Sequence, residues 1–231
     1  MILITGGTGF LGKHLKEYFK DAYFPTRKEM DIKNIEEIEK YIIDKNIKTI
    51  IHCAAFIGLF ENDNNIEESI KTNIIGTSNI AIICNRFNIK LIYISTDYVF
   101  DGEKGNYKEE DKINPKSKYA ISKACGELIT KLLDKYLIIR CSFFKENVLY
   151  KKVPIDQVVT RDFVDSIAKK IYKLFNIDYC GIIHIGRDKT NLYRFIKKEF
   201  NKNVLKCKAS DCHKDMPKKI YLNLNKQKEI L

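Results

Sequence analysis

Apolar positions in the first two-thirds of the chain switch repeatedly between two periods. Short unbroken apolar runs read as buried strands: ILIT (2–5), TIIHCAA (49–55), IKLIYIS (89–95) and YLIIRC (136–141), with a briefer one at AYFPT (22–26). Between them lie segments with helical spacing: LGKHLKEYFK (11–20), NIEEIEKYIIDK (34–45), a long one over 66–86, and another over 117–135. Buried strands alternating with amphipathic helices predict parallel βαβ units, in which both faces of the sheet are covered. Crossovers of that kind are right-handed, so the expected fold class is α/β with a doubly wound parallel sheet.

After Cys141 the pattern loosens. FFKENVLYKKVPIDQ (143–157) is irregular, RDFVDSIAKKIYKLF (161–175) has helical spacing and GIIHIG (181–186) reads as one more strand. LYRFIKKEF (192–200) is amphipathic, and the tail from Asn201 is lysine-rich with little pattern. The expected organisation is a dinucleotide-binding domain over residues 1–142 and a small substrate-binding lobe over 143–231, packed on it as one unit.

Composition narrows the classes. The chain has 231 residues, 45% of them hydrophobic, which is ample for one core. No run approaches the roughly 18 apolar residues that a membrane span needs, and MILITGG reads as strand and turn instead of a leader. Seven scattered cysteines without CxxC spacing are expected to be free thiols in a reducing, cytoplasmic setting. CKASDCH (207–213) lacks a fourth ligand, so no metal site is expected. The net charge of +11 raises nucleic acid as a partner. The lysines are spread over every polar face with no aromatic-interleaved basic tract, so neither nucleic acid nor membrane is an expected partner.

The first chemistry-bearing motif is ITGGTGFLG (4–12), a glycine turn between a strand and a helix. Gly6 permits the tight turn, Gly9 clears the path for a pyrophosphate, and Gly12 lets the helix approach the strand. The N–H groups at the helix start then face the phosphates. Thr8, Phe10 and Leu11 in the same turn, with Ile32, Ala54 and Ala55 beyond later elements, complete the expected cofactor contacts. An acidic residue about 20 positions on would bind the adenosine ribose. Here FPTRKEMD (24–31) puts Thr26, Arg27 and Lys28 at that place. A guanidinium there pairs with a 2′-phosphate, which favours NADPH and leaves NADH open; Asp31 is a contact for the adenine edge.

STDYVFDG (95–102) crowds hydrogen-bonding groups at the end of a strand, and YAISK (119–123) follows on the next helix. Tyr119 and Lys123 are four apart and share a helical face. Reducing a ketone needs hydride on carbon and a proton on oxygen. Tyr119 is the candidate proton donor, and Lys123 the group that lowers its pKa and holds the nicotinamide ribose. Thr96 is the hydrogen-bond partner of the developing oxyanion. Asp97 orders the turn or lines the pocket, and Arg140 at the end of YLIIRC is a further substrate-side candidate.

With these three motifs, the chain resembles the extended short-chain dehydrogenase/reductase superfamily, and within it the dTDP-4-dehydrorhamnose reductases. TDYVFDG, NPKSKYAISK and KTNIIGTSN carry the likeness over residues 1–142, with thinner features in VPIDQ, TRDFVDSIA, GIIHIG and MPKKIYLNLNK. The resemblance implies a Rossmann domain, a Thr96/Tyr119/Lys123 catalytic set, a cofactor contact from Asn73, a sugar contact from Tyr98, and homodimers made by paired long helices. Three features depart from that pattern. The family is usually longer, with the shortfall here after Phe144. Met216-Pro217 stands where relatives often have Arg-Pro against the diphosphate, so Lys218 or Lys219 would substitute. HCAA replaces the usual Asn-Ala-Ala.

Related 4,6-dehydratases follow the catalytic Thr with Asp and Glu, whereas here Asp97 is followed by Tyr98. The base for C5 is therefore missing. The expected reaction is NADPH-dependent reduction of a nucleotide-linked 4-keto-6-deoxyhexose, a step in deoxysugar supply. A non-catalytic nucleotide or sugar-nucleotide binder, and an epimerase or dehydratase on the same scaffold, stay open as alternatives.

Overall fold

The computed structural model describes residues 1–144, 151–200 and 204–231. The first half holds β1 (Ile2–Thr5), α1 (Phe10–Tyr18), α2 (Ile35–Ile42), β2 (Thr49–His52) and α3 (Leu59–Asn64), with no strand between α1 and α2. Asn34 starts α2 by accepting from the N–H groups of Glu36 and Glu37, whose carboxylates also suit the positive helix end. The segment expected as one helix is α4 (Ile66–Ser69), a π-helical stretch (Ile70–Gly76) and α5 (Thr77–Arg86) in direct succession. β3 (Lys90–Thr96), α6 (Lys118–Thr130) and β4 (Tyr136–Cys141) follow.

The later part is finer-grained. It holds β5 (Phe143–Phe144), β6 (Lys152–Pro154), β7 (Val158–Val159), β8 (Asp162–Phe163), α7 (Val164–Asn176) and β9 (Gly181–His184). β10 (Thr190–Asn191), α8 (Leu192–Phe200), β11 (Leu205–Cys207), α9 (Ala209–Cys212), β12 (Lys219–Ile220) and α10 (Asn225–Ile230) complete it. The tail thus carries structure that its lysine-rich pattern hides, because two- and three-residue strands are too short to show a period.

The main sheet runs β1-β2-β3-β4-β9, parallel throughout. AYFPT does not form the expected strand. Tyr23 makes a single bridge to Leu3 and the segment stops there, since Pro25 has no N–H to continue a ladder. Tyr23 and β2 lie on opposite sides of β1, so the chain switches direction across the sheet at the strand that carries the glycine turn. Ligands of such sheets bind at that crevice. β9 and α7 lie beyond residue 142, yet β9 extends the main sheet and α7 packs on α1. The division after residue 142 follows chain order and not the sheet.

Alternation along each strand sends side chains to two cores. Ile4, Ile51, Ile92 and Ile139 pack with Leu11, Leu15, Ile167 and Ile171 of α1 and α7. Leu3, Ile50 and Leu91 pack with Ile38, Ile42, Ile80 and Ile83 of α2 and α5. Each such isoleucine or leucine contributes about 1.5–3 kcal/mol through burial. A third cluster joins Val99 and Phe100 to Phe144, Phe195, Ile220 and Leu222, which fixes the small strands β7, β10 and β12 over the carboxyl end of β3. No helix among the described residues is long and apolar enough to cross a membrane.

Candidate active site

The glycine turn is built by backbone geometry. Gly6 has φ of 69°, in the left-handed region, and its carbonyl accepts the Gly9 N–H at 2.9 Å. A Cβ on Gly12 would stand 2.3 Å from the Gly6 carbonyl oxygen, so α1 can approach the turn only with glycine there. Next to it, Thr5 Oγ1 pairs with His52 Nδ1 at 2.7 Å and accepts from the Ala54 N–H at 3.2 Å. These bonds tie the ends of β1 and β2 together beneath the turn.

A groove of about 290 Å³ runs from Arg27, Asp31, Ile32 and Lys33 past Thr8 to Gly6, Gly9, Ala54 and Ala55. It shares Gly6, Gly9, Cys53 and Ala55 with a larger cavity of about 590 Å³, which adds Phe10, Leu11, Gly12, Thr96, Asp97, Tyr98, Tyr119 and Lys123. The two form one path from an adenosine-sized end to the tyrosine, with a turn between them that excludes side chains. These residues fit an extended dinucleotide, with its diphosphate at the start of α1. At the far end Arg27 is 66% exposed and pairs with Asp31 at 3.2 Å and Glu68 at 3.7 Å, while Lys33 pairs with Glu68 at 3.3 Å. Asp31 is therefore held by a cation instead of standing free for ribose hydroxyls.

Thr96 ends β3 and caps the short turn over Asp97–Val99, its Oγ1 accepting from the Tyr98 N–H at 3.2 Å. The same hydroxyl donates to Asp97 Oδ1 at 3.1 Å. Asp97 is fully buried, and Ser142 Oγ donates to its other oxygen at 2.6 Å. Burial raises the Asp97 carboxyl above its usual range, against the opposing pull of the Arg161 guanidinium and the two hydroxyls.

Ser117 caps α6 by accepting from the Ala120 N–H at 3.1 Å, which places Tyr119 in the first turn and Lys123 one turn further. The Lys123 ammonium lies 4.1 Å from the centre of the Tyr93 ring, and the Tyr93 hydroxyl donates to the Lys123 carbonyl at 3.2 Å. A Cβ on Gly126 would fall 2.1 Å from that hydroxyl, so glycine lets α6 settle on β3. Burial pushes the Lys123 ammonium down to about 8, with Cys53 and Glu127 acting the other way. Burial also drives the Tyr119 phenol well above its ordinary value, Asp97 adding to this and the Thr96 hydroxyl opposing it. The expected lowering of Tyr119 by Lys123 is not the governing effect; desolvation is.

Two candidates lie elsewhere. Arg140 is buried, paired with Glu127 through Nη2 at 2.8 Å, and also donates to the Glu109 carbonyl at 3.1 Å. It is a core ion pair and not a substrate contact. Asn73 is buried in the π-helical stretch and lines neither the groove nor the cavity; it holds the backbone of Phe56 and the Ser122 hydroxyl. Its effect on a cofactor would be through the loop it holds. Neither lysine after Met216-Pro217 lines the groove or the cavity: Lys218 faces Asp156 at 3.7 Å, and Lys219 belongs to β12. In their place Arg161, just before β8, lines the cavity with Ser142 and Phe143. Its stretch, TRDFVDSIA, carries part of the resemblance, but no local pattern marks the arginine itself as a site residue. His213 turns to Asp63 at 3.1 Å, away from the Cys207 and Cys212 sulfurs, which are 2.9 Å apart.

The family described as RmlD substrate binding domain matches residues 1–176. A dTDP-4-dehydrorhamnose reductase of Aggregatibacter actinomycetemcomitans is 32% identical over 179 residues, 74% of this chain; the chain spans 61% of that protein's length. The crystal structure of a dTDP-4-dehydrorhamnose reductase from Bacillus anthracis, in complex with NADP, superposes with a TM-score of 0.85 at 28% identity, over 96% of this chain and 89% of that one. The crystal structure of a dTDP-4-dehydrorhamnose reductase from Clostridium acetobutylicum superposes with a TM-score of 0.87 at 27% identity, over 99% of this chain and 91% of that one.

Proposed function

The chain belongs to the RmlD substrate binding domain family, and on that premise we propose that it reduces the 4-keto group of a nucleotide-linked 6-deoxyhexose with NADPH. The observation that carries the reading is the shared cavity: Thr96, Tyr119 and Lys123 line one wall, continuous with the glycine turn. The Bacillus anthracis relative's complex with NADP and the Aggregatibacter relative's name support the cofactor and the substrate class.

NADPH, when bound, supplies hydride to the carbonyl carbon. The chain's own part is to receive the charge that develops on oxygen. Gly6, Gly9 and the start of α1 would hold the diphosphate, and Arg27 and Lys33 the 2′-phosphate. Lys123 would hold the nicotinamide ribose. The Tyr119 phenol, kept protonated by burial, gives its proton to the carbonyl oxygen as the hydride arrives, so that ketone becomes alcohol and phenol becomes phenolate. The cation of Lys123 on the same wall then favours the phenolate until a solvent proton restores it. Thr96 directs the carbonyl oxygen. Asp97 is followed by Tyr98 and not by a second carboxylate, which supports reduction over water elimination.

Incubation with dTDP- or UDP-linked 4-keto-6-deoxyhexose and NADPH, followed at the nicotinamide absorbance band, tests the reading. Loss of absorbance with a product two hydrogens heavier supports it. A product of unchanged mass, one lacking water, or no turnover while NADPH binds refutes it.

A further inference from the structure

Thr96 stands where the substrate oxygen has to be met, yet its hydroxyl proton is already committed. A threonine hydroxyl has one proton to give and two lone pairs to receive with. Here it donates to Asp97 Oδ1 at 3.1 Å and accepts from the Tyr98 N–H at 3.2 Å. With its proton on Asp97 and the Tyr119 phenol as its remaining partner, it has nothing to offer a carbonyl oxygen in that arrangement. The proton can turn to the substrate only if Asp97 stops claiming it.

We infer that Asp97 is a positioning residue that sets the direction of the Thr96 proton: as a carboxylate it holds that proton, and as a carboxylic acid it reverses the bond and releases it to the substrate oxygen. This rests on the reductase reading above. Asp97 would take up one proton from solvent and donate that O–H to Thr96 Oγ1, which frees the Thr96 proton to turn to the substrate while the pair loses none.

The surroundings make both forms accessible. Asp97 is fully buried, and burial disfavours its charge. The Arg161 guanidinium and the Ser142 and Thr96 hydroxyls act the other way. Tyr119 from α6, Cys141 from β4 and Tyr98 on its own turn are the remaining titratable groups whose ionisation is coupled to Asp97; all three are neutral when Tyr119 is ready to donate. The balance leaves the carboxyl raised, so its acid form is reached at a higher pH than that of an exposed aspartate. Hydride transfer in such a site is expected to quicken as pH falls through the Asp97 titration, below the region in which the Tyr119 phenol ionises.

The test pairs kinetics with a measurement that needs no turnover. Asp97→Asn presents an amide N–H to Thr96 where the acid would present O–H. Its kcat should lose the acidic-side limb and exceed the wild-type value about tenfold on the alkaline side of that limb, with KM within threefold. A limb that survives in Asp97→Asn, or a kcat lowered at every pH, overturns the inference. Separately, carboxyl NMR of the aspartate-labelled, ligand-free protein follows the Asp97 titration directly. Thr96→Val and Ser142→Ala should each move the same resonance to a higher midpoint, because each removes a donor to the carboxylate; this identifies Asp97 even where Asp97→Asn does not fold. A midpoint untouched by Thr96→Val overturns the inference whatever the enzyme catalyses. If that midpoint moves while no ketosugar is reduced, the reaction reading fails and the Asp97–Thr96 coupling stands.

Discussion

Asn73 grips the backbone of Phe56 at both ends: its Oδ1 accepts the Phe56 N–H at 2.7 Å, and its Nδ2 donates to the Phe56 carbonyl at 2.9 Å. The second Nδ2 proton reaches Ser122 Oγ at 2.8 Å, and Ser122 in turn donates to the Tyr119 carbonyl at 2.8 Å. One side-chain amide therefore ties the loop after β2, which lines the groove, to the helix that carries Tyr119 and Lys123. It sits in a π-helical stretch, a wider turn than an α-helix makes.

Asn73→Asp tests that clamp. The carboxylate still accepts from Phe56 but faces its carbonyl with no proton to give, a buried mismatch of about 1–3 kcal/mol. NADPH affinity should fall roughly tenfold at the loop Asn73 holds, read by quenching of nicotinamide fluorescence. Unchanged affinity would show that the loop keeps its shape without Asn73.

The glycine turn and the Tyr119–Lys123 helical face were legible in sequence because each is local. Gly6, Gly9 and Gly12 lie within seven residues, and Tyr119 and Lys123 share a helical face. Arg140 misled for a physical reason: an arginine at the carboxyl end of a central strand looks like a ligand, and its partner Glu127 is on a separate helix whose packing no local pattern gives away. Arg161 escaped notice for the converse reason. It reaches the cavity only because the third apolar cluster folds the later chain over β3, a contact between residues far apart in sequence.

Arg140 offers a second prediction, since a substrate contact and a core ion pair fail differently. Arg140→Met leaves Glu127 buried without its cation, at a cost of about 3–5 kcal/mol. Urea unfolding should shift accordingly, while KM for the sugar stays within about twofold in protein that is still folded. Raised KM with unchanged stability would return Arg140 to the substrate.

Tyr119→Phe removes the proposed proton donor and leaves the cavity wall in place. The expected loss in kcat is about 10²- to 10⁴-fold, with NADPH affinity within threefold. Lys123→Met should lower kcat and also weaken NADPH binding, because the ammonium is assigned both tasks. Equal effects of the two variants on cofactor binding would contradict that division.

Arg27 and Lys33 carry the reading of cofactor choice. Both are neutralised by Asp31 and Glu68, so a 2′-phosphate has to displace carboxylates to reach them. Arg27→Ala should raise KM for NADPH about tenfold and leave NADH nearly unchanged, narrowing the preference between the two. An equal loss with both cofactors would place Arg27 outside the phosphate site.

Acid should unfold the chain through two buried histidines. His52, between Thr5 Oγ1 and Thr77 Oγ1, and His184, beside Arg140, are each held down to about 3, mainly by burial. An unfolded histidine titrates near 6.5, so between about 6.5 and 3 the unfolded chain binds more protons than the folded one. Stability is then fully present above pH 6.5 and falls as pH drops, the opposite of a histidine that gains a partner. With two such groups the slope approaches about 2.7 kcal/mol per pH unit, as long as both stay neutral in the folded state. Urea midpoints measured across pH 7 to 4 should fall on that course. His184→Asn removes one group and should roughly halve the histidine part of the slope, even if its own stability at pH 7 is lower. A slope that His184→Asn leaves unchanged would assign the acid sensitivity to carboxylates instead.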